Sequence, residues 1–188
     1  MLVLIGKSAS GKDTIKEILV KKYGFHPIVT YTTRPMRKDE IADITYHYIS
    51  NEDFLKKVEE GFFAEWKKYN TANGVWYYGS AKENYENADE NSVIILTPDG
   101  IRDIQKLGYD VTVIYLYVNI ASTNKRLAVR GDKKEEIERR IKADLKDFKD
   151  AENLADRIIY NNFDDNIDNV LDSVLFHYRK ASKWKKTV

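Results

Sequence analysis

A run of glycines and a lysine near the start of the chain has the composition and spacing of a phosphate-binding loop. The segment Gly6-Lys7-Ser8-Ala9-Ser10-Gly11-Lys12 matches the pattern G-x-x-x-x-G-K. In such a loop the backbone N–H groups point inward at an anion, and the lysine places a charge between the β- and γ-phosphates. The pattern therefore predicts binding of a nucleoside triphosphate through the loop residues Gly6, Ser8, Ala9, Ser10, Gly11 and Lys12.

The residue that follows the lysine is unusual for such a loop. That position usually holds Ser or Thr, whose hydroxyl ligates Mg²⁺, but here it is Asp13, with Thr14 behind it. A carboxylate can ligate Mg²⁺ directly or through water, or Asp13 can turn away as a first-turn helix residue. We favour the metal role for Asp13 and include Thr14 in the predicted triphosphate site.

A second group of residues could hold an acceptor for the phosphoryl group. Arg34 and Arg37 lie three residues apart in a loop that contains proline, and arginine forks suit phosphate oxygens. Downstream come Tyr46, Glu65 in the segment Gly-Phe-Phe-Ala-Glu-Trp, and Tyr78 in the segment Tyr-Tyr-Gly-Ser. Each residue alone has an ordinary structural explanation, so the prediction depends on their occurring together.

The elements that must position these residues alternate between strands and helices. Apolar runs predict strands at 2–5, 28–31, 93–97, 112–118 and 157–160, and helical periodicity follows the first run and returns near the C-terminus. Such alternation indicates a mostly parallel five-stranded sheet with helices on both faces. The phosphate loop then joins the first strand to the first helix.

Two segments interrupt this alternation. Between 32 and 80 a capping box at Ser50 predicts a short helix, and an Asn73-Gly74 turn between apolar runs predicts an antiparallel hairpin. The segment 122–143 is helical and rich in Arg and Lys. We therefore predict an α/β core with a small α+β insertion and a helical second insertion.

Composition excludes several classes of protein. The 188 residues include 31 Lys+Arg, 30 Asp+Glu and no cysteine, so the net charge is near zero and disulfides and thiol chemistry are ruled out. A balanced charge argues against a nucleic-acid partner, and no apolar run is long enough to span a membrane. We expect a cytoplasmic protein of one domain; the oligomeric state does not follow from these features.

Taken together, the motifs resemble the guanylate kinase family. The matching segments, in family order, are the phosphate loop, Thr-Thr-Arg-Pro-x-Arg at 32–37, Tyr46, Gly-x-Phe-x-Glu-Trp at 61–66, Tyr-Tyr-Gly-Ser at 77–80, Arg126-Leu127, Arg130-Gly131, a helix with Arg140, and Ile-Ile-Tyr-Asn at 158–161. The resemblance implies a P-loop kinase that transfers a phosphoryl group from ATP to GMP with Mg²⁺. It also implies three parts: a core at 1–31, 81–121 and 144–188, a GMP-binding insertion at 32–80, and a lid at 122–143.

The resemblance also implies roles for individual residues. GMP would be bound by Thr30, Arg34, Arg37, Tyr46, Glu65, Tyr78, Ser80 and Thr97. Asn161 would join the ATP site, and the catalytic groups would be Lys12, Arg126, Arg130 and Arg140. The Glu65 carboxylate can accept both the N1–H and the 2-amino group of guanine, whereas adenine would leave it unpaired.

The match is weaker at two places. Family members carry Asp-x-Asp where this chain has Ile95-Leu96-Thr97, and extra residues at 68–74 lengthen the hairpin. A related kinase for a deoxynucleotide monophosphate or a sugar phosphate therefore stays open. A non-catalytic guanylate kinase-like binding module is the second alternative, although the intact phosphate loop and lid arginines argue against it.

Overall fold

The computed structural model describes residues 1–38, 40–71 and 74–185, and side chains as far as residue 181. Its centre is a five-stranded sheet in the order β2-β7-β1-β8-β9, in which every pairing is parallel. These strands are β1 (Leu2–Ile5), β2 (His26–Pro27), β7 (Ser92–Ile95), β8 (Thr112–Tyr117) and β9 (Arg157–Tyr160). The predicted parallel core is therefore confirmed.

Helices cover both faces of this sheet because the side chains of β1 alternate between them. Leu2 and Leu4 pack with residues of α1 (Lys12–Tyr23) and α7 (Ile167–Lys185). Val3 and Ile5 face the opposite way and pack with α4 (Pro98–Lys106) and a 3₁₀ turn at Ala151–Leu154. Since all four β1 side chains are fully buried, the strand that leads into the phosphate loop is held from both sides.

A second sheet, in the order β4-β3-β6-β5, forms the insertion. It contains β3 (Thr30–Thr32), β4 (Tyr46–Tyr48), β5 (Phe63–Thr71) and β6 (Gly74–Ala81). A helix, α2 (Asn51–Glu59), covers it and stacks Phe54 on Phe63 at 4.4 Å between ring centroids. Ser50 is the N-cap of this helix, as predicted, since its Oγ accepts from the Asp53 N–H at 3.0 Å, which is one of the two bonds of a capping box. The hairpin is also confirmed as an antiparallel pair, although Asn73 lies outside the described residues.

One predicted strand is wrong. The run 28–31 was expected in the core, but the core strand is His26–Pro27, and Thr30–Thr32 belongs to the second sheet. The Ile28 N–H still donates to the carbonyl oxygen of Val93 in the core at 2.9 Å. The chain then leaves the core, because β3 pairs with β4 in parallel and with β6 in antiparallel. The second sheet thus begins at Thr30 and ends at Ala81.

The remaining helices complete the molecule. They are α3 (Lys82–Glu86), α5 (Ile120–Val129) and α6 (Lys134–Asp147). The second insertion is therefore helical, as predicted, and α6 continues past its expected end into the region of the core. Within the described ranges, no helix has the length and apolar character needed to cross a membrane.

Candidate active site

The phosphate loop joins β1 to α1, and its shape depends on two glycines. A Cβ at Gly6 would lie 2.3 Å from Ser10 Oγ and 2.7 Å from the carbonyl oxygen of Leu116. Gly11 has a φ of 86°, and a Cβ there would lie 2.4 Å from Asn161 Nδ2. Larger residues at either position would therefore force the loop away from its neighbours.

The N-terminus of α1 opens onto this loop. Gly11 is the N-cap residue, so no side chain caps the first-turn N–H groups of α1. Uncapped N–H groups at a helix N-terminus can bind an anion. Lys12 Nζ lies 3.5 Å from the carbonyl oxygen of Lys7. Lys12 lines a cavity together with Gly6 and Ser8, and we call this space the central cavity. The loop thus presents backbone donors and one ammonium group to the same space.

Two residues predicted to take part in ATP binding or catalysis hold the loop itself. The buried Asn161 donates from Nδ2 to the carbonyl oxygen of Ser10 at 2.8 Å. Arg126 donates from Nη1 to the carbonyl oxygen of Ala9 at 3.0 Å, and from Nη2 to Asn161 Oδ1 at 3.2 Å and the carbonyl oxygen of Asn162 at 2.5 Å. In this structure Arg126 therefore stabilises the phosphate loop by a hydrogen bond to one of its carbonyl oxygens.

The other two predicted catalytic arginines differ in their surroundings. Arg130 lies at the surface in an ion pair with Asp132. Arg140 donates from Nε to Glu136 Oε1 at 2.7 Å, and its side chain lines the central cavity. The structure thus brings Arg140 to the cavity wall, whereas Arg130 is bound by its own local carboxylate.

Oxygen donors suited to Mg²⁺ lie at the start of α1. Asp13 and Thr14 are exposed in the first helical turn, directly after Lys12. Among the described residues, no group of three or more His, Cys, Asp or Glu side chains could hold a metal ion. Mg²⁺ in nucleotide sites typically keeps several waters and binds substrate phosphates through one or two protein oxygens. Asp13 and Thr14 thus carry oxygen atoms of the kind that Mg²⁺ binds, although neither is among the residues that line the cavity beside Lys12.

The central cavity has a volume of about 400 Å³ and lies between the phosphate loop, the second sheet and α6. Residues predicted for both substrates line it: Ser8, Lys12, Thr30, Arg37, Tyr46, Glu65, Tyr78 and Thr97. The structure therefore places the predicted donor and acceptor sites in one continuous space.

Glu65 is the buried carboxyl group of this cavity. Its side chain accepts from Ser80 Oγ at 2.6 Å, and Ser80 Oγ lies 2.6 Å from the hydroxyl of Tyr85. Burial raises the pKa of Glu65 to about 7, while the hydrogen bond from Ser80 opposes this shift. Near neutral pH the carboxyl group is thus partly protonated, a form that can donate a hydrogen bond, and partly ionised, a form that can only accept one. Tyr85 was not predicted, because nothing in its local sequence indicates a partner.

Arg34 is held by a carboxylate that the sequence analysis missed. Its guanidinium forms a two-pronged pair with Glu40, through Nη1 to Oε2 at 2.7 Å and through Nη2 to Oε1. The Tyr48 hydroxyl and the Arg37 N–H also donate to Glu40 Oε2, at 2.7 and 2.8 Å. The hydrogen bonds from Arg34 lower the pKa of Glu40 to about 2. The sequence feature that could have indicated this ion pair is a carboxylate six residues after an arginine.

Replacing Glu40 by glutamine should lower the free energy of unfolding by about 2–4 kcal/mol at pH 7, because a buried guanidinium loses its counter-charge. The two side chains are only 4% and 13% exposed, so solvent screens the pair little. The depressed pKa of Glu40 makes its contribution full above about pH 4.5 and lost as the pH falls toward 2. Urea unfolding at pH 7 and pH 3 measures both effects. An equal loss in both buffers would contradict this explanation.

Three further acceptor residues form a polar and aromatic wall. Arg37, Tyr46 and Tyr78 line the cavity, and the two tyrosine rings lie 6.1 Å apart. Arg34 lies behind them, with its guanidinium carbon 5.1 Å from the ring centre of Tyr46. Since Arg34 is bound by Glu40, Arg37 is the guanidinium on this wall that faces the cavity.

The two departures from the family pattern both affect the cavity. Ile95 and Thr97 line it where carboxylates would be expected. Thr97 is the N-cap residue of α4, and its Oγ1 accepts from the Gly100 N–H at 3.2 Å. The lengthened hairpin contributes Tyr69 and Trp76 to another wall. The acceptor end is therefore less acidic and more aromatic than the family pattern implies.

Lys67 connects three parts of the molecule and was not predicted. Its Nζ donates to Asp99 of α4 at 3.1 Å and to Asp147 of α6 at 3.0 Å, although Lys67 itself belongs to β5. Burial opposes the charged form, but the hydrogen bonds to both carboxylates raise the pKa of Lys67 overall. One ammonium group thus joins the second sheet, the core and α6.

Comparisons with known proteins agree with this geometry. A family model described as guanylate kinase matches residues 1–178. A guanylate kinase from Wolinella succinogenes is 35% identical over 149 residues, which cover 75% of this chain and 67% of that protein. A guanylate kinase from Trichodesmium erythraeum is 28% identical, with 96% and 97% of the two chains covered.

A solved structure supports the same fold. The guanylate kinase from Anaplasma phagocytophilum superposes with a TM-score of 0.70 at 19% identity, covering 96% of this chain and 85% of that one. The match of the family model extends over nearly the whole chain and includes the phosphate loop and both insertions. This chain therefore belongs to the guanylate kinase family.

Proposed function

We propose that this protein transfers the γ-phosphoryl group of ATP to the phosphate of GMP, giving ADP and GDP. The observation that carries the proposal is the single cavity that joins Lys12 of the phosphate loop to Glu65 of the second sheet. A phosphoryl group needs little covalent assistance; it needs its donor and acceptor aligned and its charge neutralised.

The donor side would be formed by the phosphate loop. Its N–H groups and the α1 N-terminus would bind the phosphates of ATP, and Lys12 would stabilise charge on the transferred group. Asn161 and Arg126 would keep the loop in shape through their bonds to its carbonyl oxygens. Bound Mg²⁺ would supply charge neutralisation between phosphate oxygens, with Asp13 and Thr14 as its protein-side donors.

The acceptor side would be formed by the second sheet. Arg37, Tyr46 and Tyr78 would bind the GMP phosphate, while Glu65 in its ionised form would accept the N1–H and 2-amino groups of guanine. Thr30, Ser80 and Thr97 would complete the base end, and Arg34 would act through Glu40 and Tyr46. The attacking GMP phosphate oxygen is already ionised, so no general base is required.

Both insertions would move during this reaction. Water must be excluded to prevent ATP hydrolysis, which requires the GMP-binding insertion and the lid to close over the substrates. We keep the boundaries at 32–80 for the insertion and 122–143 for the lid, although the second sheet begins at Thr30. The cytoplasm, where ATP is plentiful, is the proposed place of action.

An assay of ADP release from ATP and Mg²⁺ tests the proposal across GMP, dGMP, AMP, CMP, UMP and sugar phosphates. We expect GMP to be the preferred acceptor. Preference for a deoxynucleotide or sugar phosphate would favour the related kinase, for which Ile95 and Thr97 at the cavity wall are the supporting observation. The absence of turnover with every acceptor would favour a binding module.

Replacing Asp13 by alanine should raise the Mg²⁺ concentration that gives half-maximal activity by about three- to ten-fold, because one oxygen ligand of the metal is lost. The exposed Asp172 on α7 offers a matched Asp→Ala control, for which no change is expected. Titration of Mg²⁺ at saturating ATP and GMP measures the effect. An unchanged Mg²⁺ dependence would show that Asp13 is only a first-turn helix residue.

A further inference from the structure

A carboxylate from α6 is bound to the phosphate loop. The backbone N–H of Ser8 donates to Asp144 Oδ2 at 2.8 Å, across 136 positions of sequence. Ser8 and Asp144 are both half-buried, and both line the central cavity. The contact is therefore made inside the space that the proposed function assigns to ATP and GMP.

The chemistry of this contact is that of an anion in an anion site. Loops of this shape bind phosphate through backbone N–H groups, and a carboxylate oxygen is the same kind of charged acceptor. Lys12 lines the same cavity and adds positive charge near the loop. A phosphate oxygen that bonds to Ser8 N–H must displace Asp144 Oδ2, and the two negative groups would then repel each other.

The position of α6 does not depend on Asp144 alone. One turn further along the helix, Asp147 accepts from Lys67 Nζ at 3.0 Å, and Lys67 also binds Asp99. Asp144 and Asp147 are three residues apart and so lie on the same side of the helix. The second pair can hold α6 near the cavity when the first contact is broken.

We propose that Asp144 is an internal competitor for the phosphate loop and thereby sets the affinity for ATP. This inference rests on the proposed ATP site. Without nucleotide, Asp144 occupies the Ser8 N–H and keeps α6 against the loop. Nucleotide phosphate takes over that donor and displaces the Asp144 carboxylate from it. Part of the binding free energy of ATP is spent on this exchange.

Replacing Asp144 by asparagine should tighten the binding of ADP by about ten-fold, because a neutral amide competes less well for the N–H and does not repel phosphate. The matched control is Glu138→Gln, which removes one negative charge from an exposed position on the same helix. We expect its ADP affinity to stay within about two-fold of that of the unmodified protein. Calorimetric titration with ADP, with Mg²⁺ and again with EDTA, measures both variants.

Three results would overturn the inference. ADP could bind no more tightly to Asp144→Asn, or both variants could tighten equally, which would indicate a general charge effect. Weaker binding to Asp144→Asn with Mg²⁺ but not with EDTA would instead make Asp144 a metal ligand. Thermal unfolding checks that each variant is folded, and Asp144→Ser replaces a misfolded Asp144→Asn.

The same titration separates this inference from the proposed function. ADP binding is measured without any acceptor, so tighter binding to Asp144→Asn in a protein that never phosphorylates GMP would support the competitor and refute the kinase. Normal GMP phosphorylation with no gain in ADP affinity would do the reverse.

Discussion

Replacing Lys12 by alanine should lower kcat for GMP phosphorylation by about 1,000-fold, because the transferred phosphoryl group loses the ammonium that offsets its charge in the cavity. Lys12 lies in the first turn of α1 and lines the cavity with Ser8 and Gly6, where the proposed function requires the reacting phosphates to bind. Steady-state kinetics with saturating GMP measure the loss, and circular dichroism checks the fold.

The matched control is Lys22→Ala in the last turn of the same helix, where the side chain is exposed. This variant loses the same charge from the same helix and should retain full activity. A Lys12→Ala enzyme that keeps more than about a tenth of the activity would contradict the phosphate-loop role.

Replacing Glu65 by glutamine should lower kcat/KM for GMP by about 1,000-fold, because an amide cannot accept two neighbouring N–H groups of guanine. Activity with AMP, which lacks the 2-amino group, should change far less. A panel of acceptors measured with both proteins tests this, and Glu59→Gln, an exposed residue of α2, is the control. Equal losses with GMP and AMP would place Glu65 outside the base-binding site.

The same variant should be more stable than the unmodified protein at alkaline pH. Burial raises the pKa of Glu65 to about 7, so the folded state resists ionisation of a group that ionises near pH 4.5 in the unfolded chain. Stability therefore falls as the pH rises from about 4.5 to 7. Glu65→Gln removes this penalty and should gain about 1–3 kcal/mol at pH 8 but almost nothing at pH 4.5. Urea unfolding in the two buffers measures the difference.

GMP binding should also be linked to this proton. Guanine requires the ionised form of Glu65, so KM for GMP should decrease as the pH rises from 6 to 8, and binding near pH 7 should release a proton. A pH-independent KM would mean that the carboxyl group is already ionised in the free protein.

The core could be predicted where a local pattern decides the structure. The apolar run at Leu2–Ile5 followed by the glycine-rich loop fixes a strand, a turn and a helix. The run at 28–31 could not be assigned to a sheet, because an extended apolar segment does not reveal its pairing partners. Thr30 and Tyr31 of that run belong to β3, which pairs with β4 and β6, and both of these strands come later in the chain.

The candidate site shows the same division. The resemblance to the guanylate kinase family identified Glu65 and Ser80, which do form a hydrogen bond. It missed Glu40 and Lys67, since their roles come from partners that only the tertiary fold brings near. Arg126 was predicted to be a catalytic group, whereas in this structure it donates to the carbonyl oxygen of Ala9 in the loop and to that of Asn162 after β9. A guanidinium can donate to phosphate oxygens or to carbonyl oxygens, and the local sequence does not show which of the two it binds.

We expect the ammonium group of Lys67 to link the two proposed substrate sites thermodynamically. Lys67 belongs to β5, the strand that also carries Glu65, yet it holds Asp147 on the helix that carries Asp144. If nucleotide binding moves α6, the ion pair between Lys67 and Asp147 changes, and the free energy of GMP binding at the acceptor site changes with it. By reciprocity, ATP then changes the affinity for GMP by the same factor by which GMP changes the affinity for ATP. The affinities for the two substrates would then be coupled through a residue that need not touch either one.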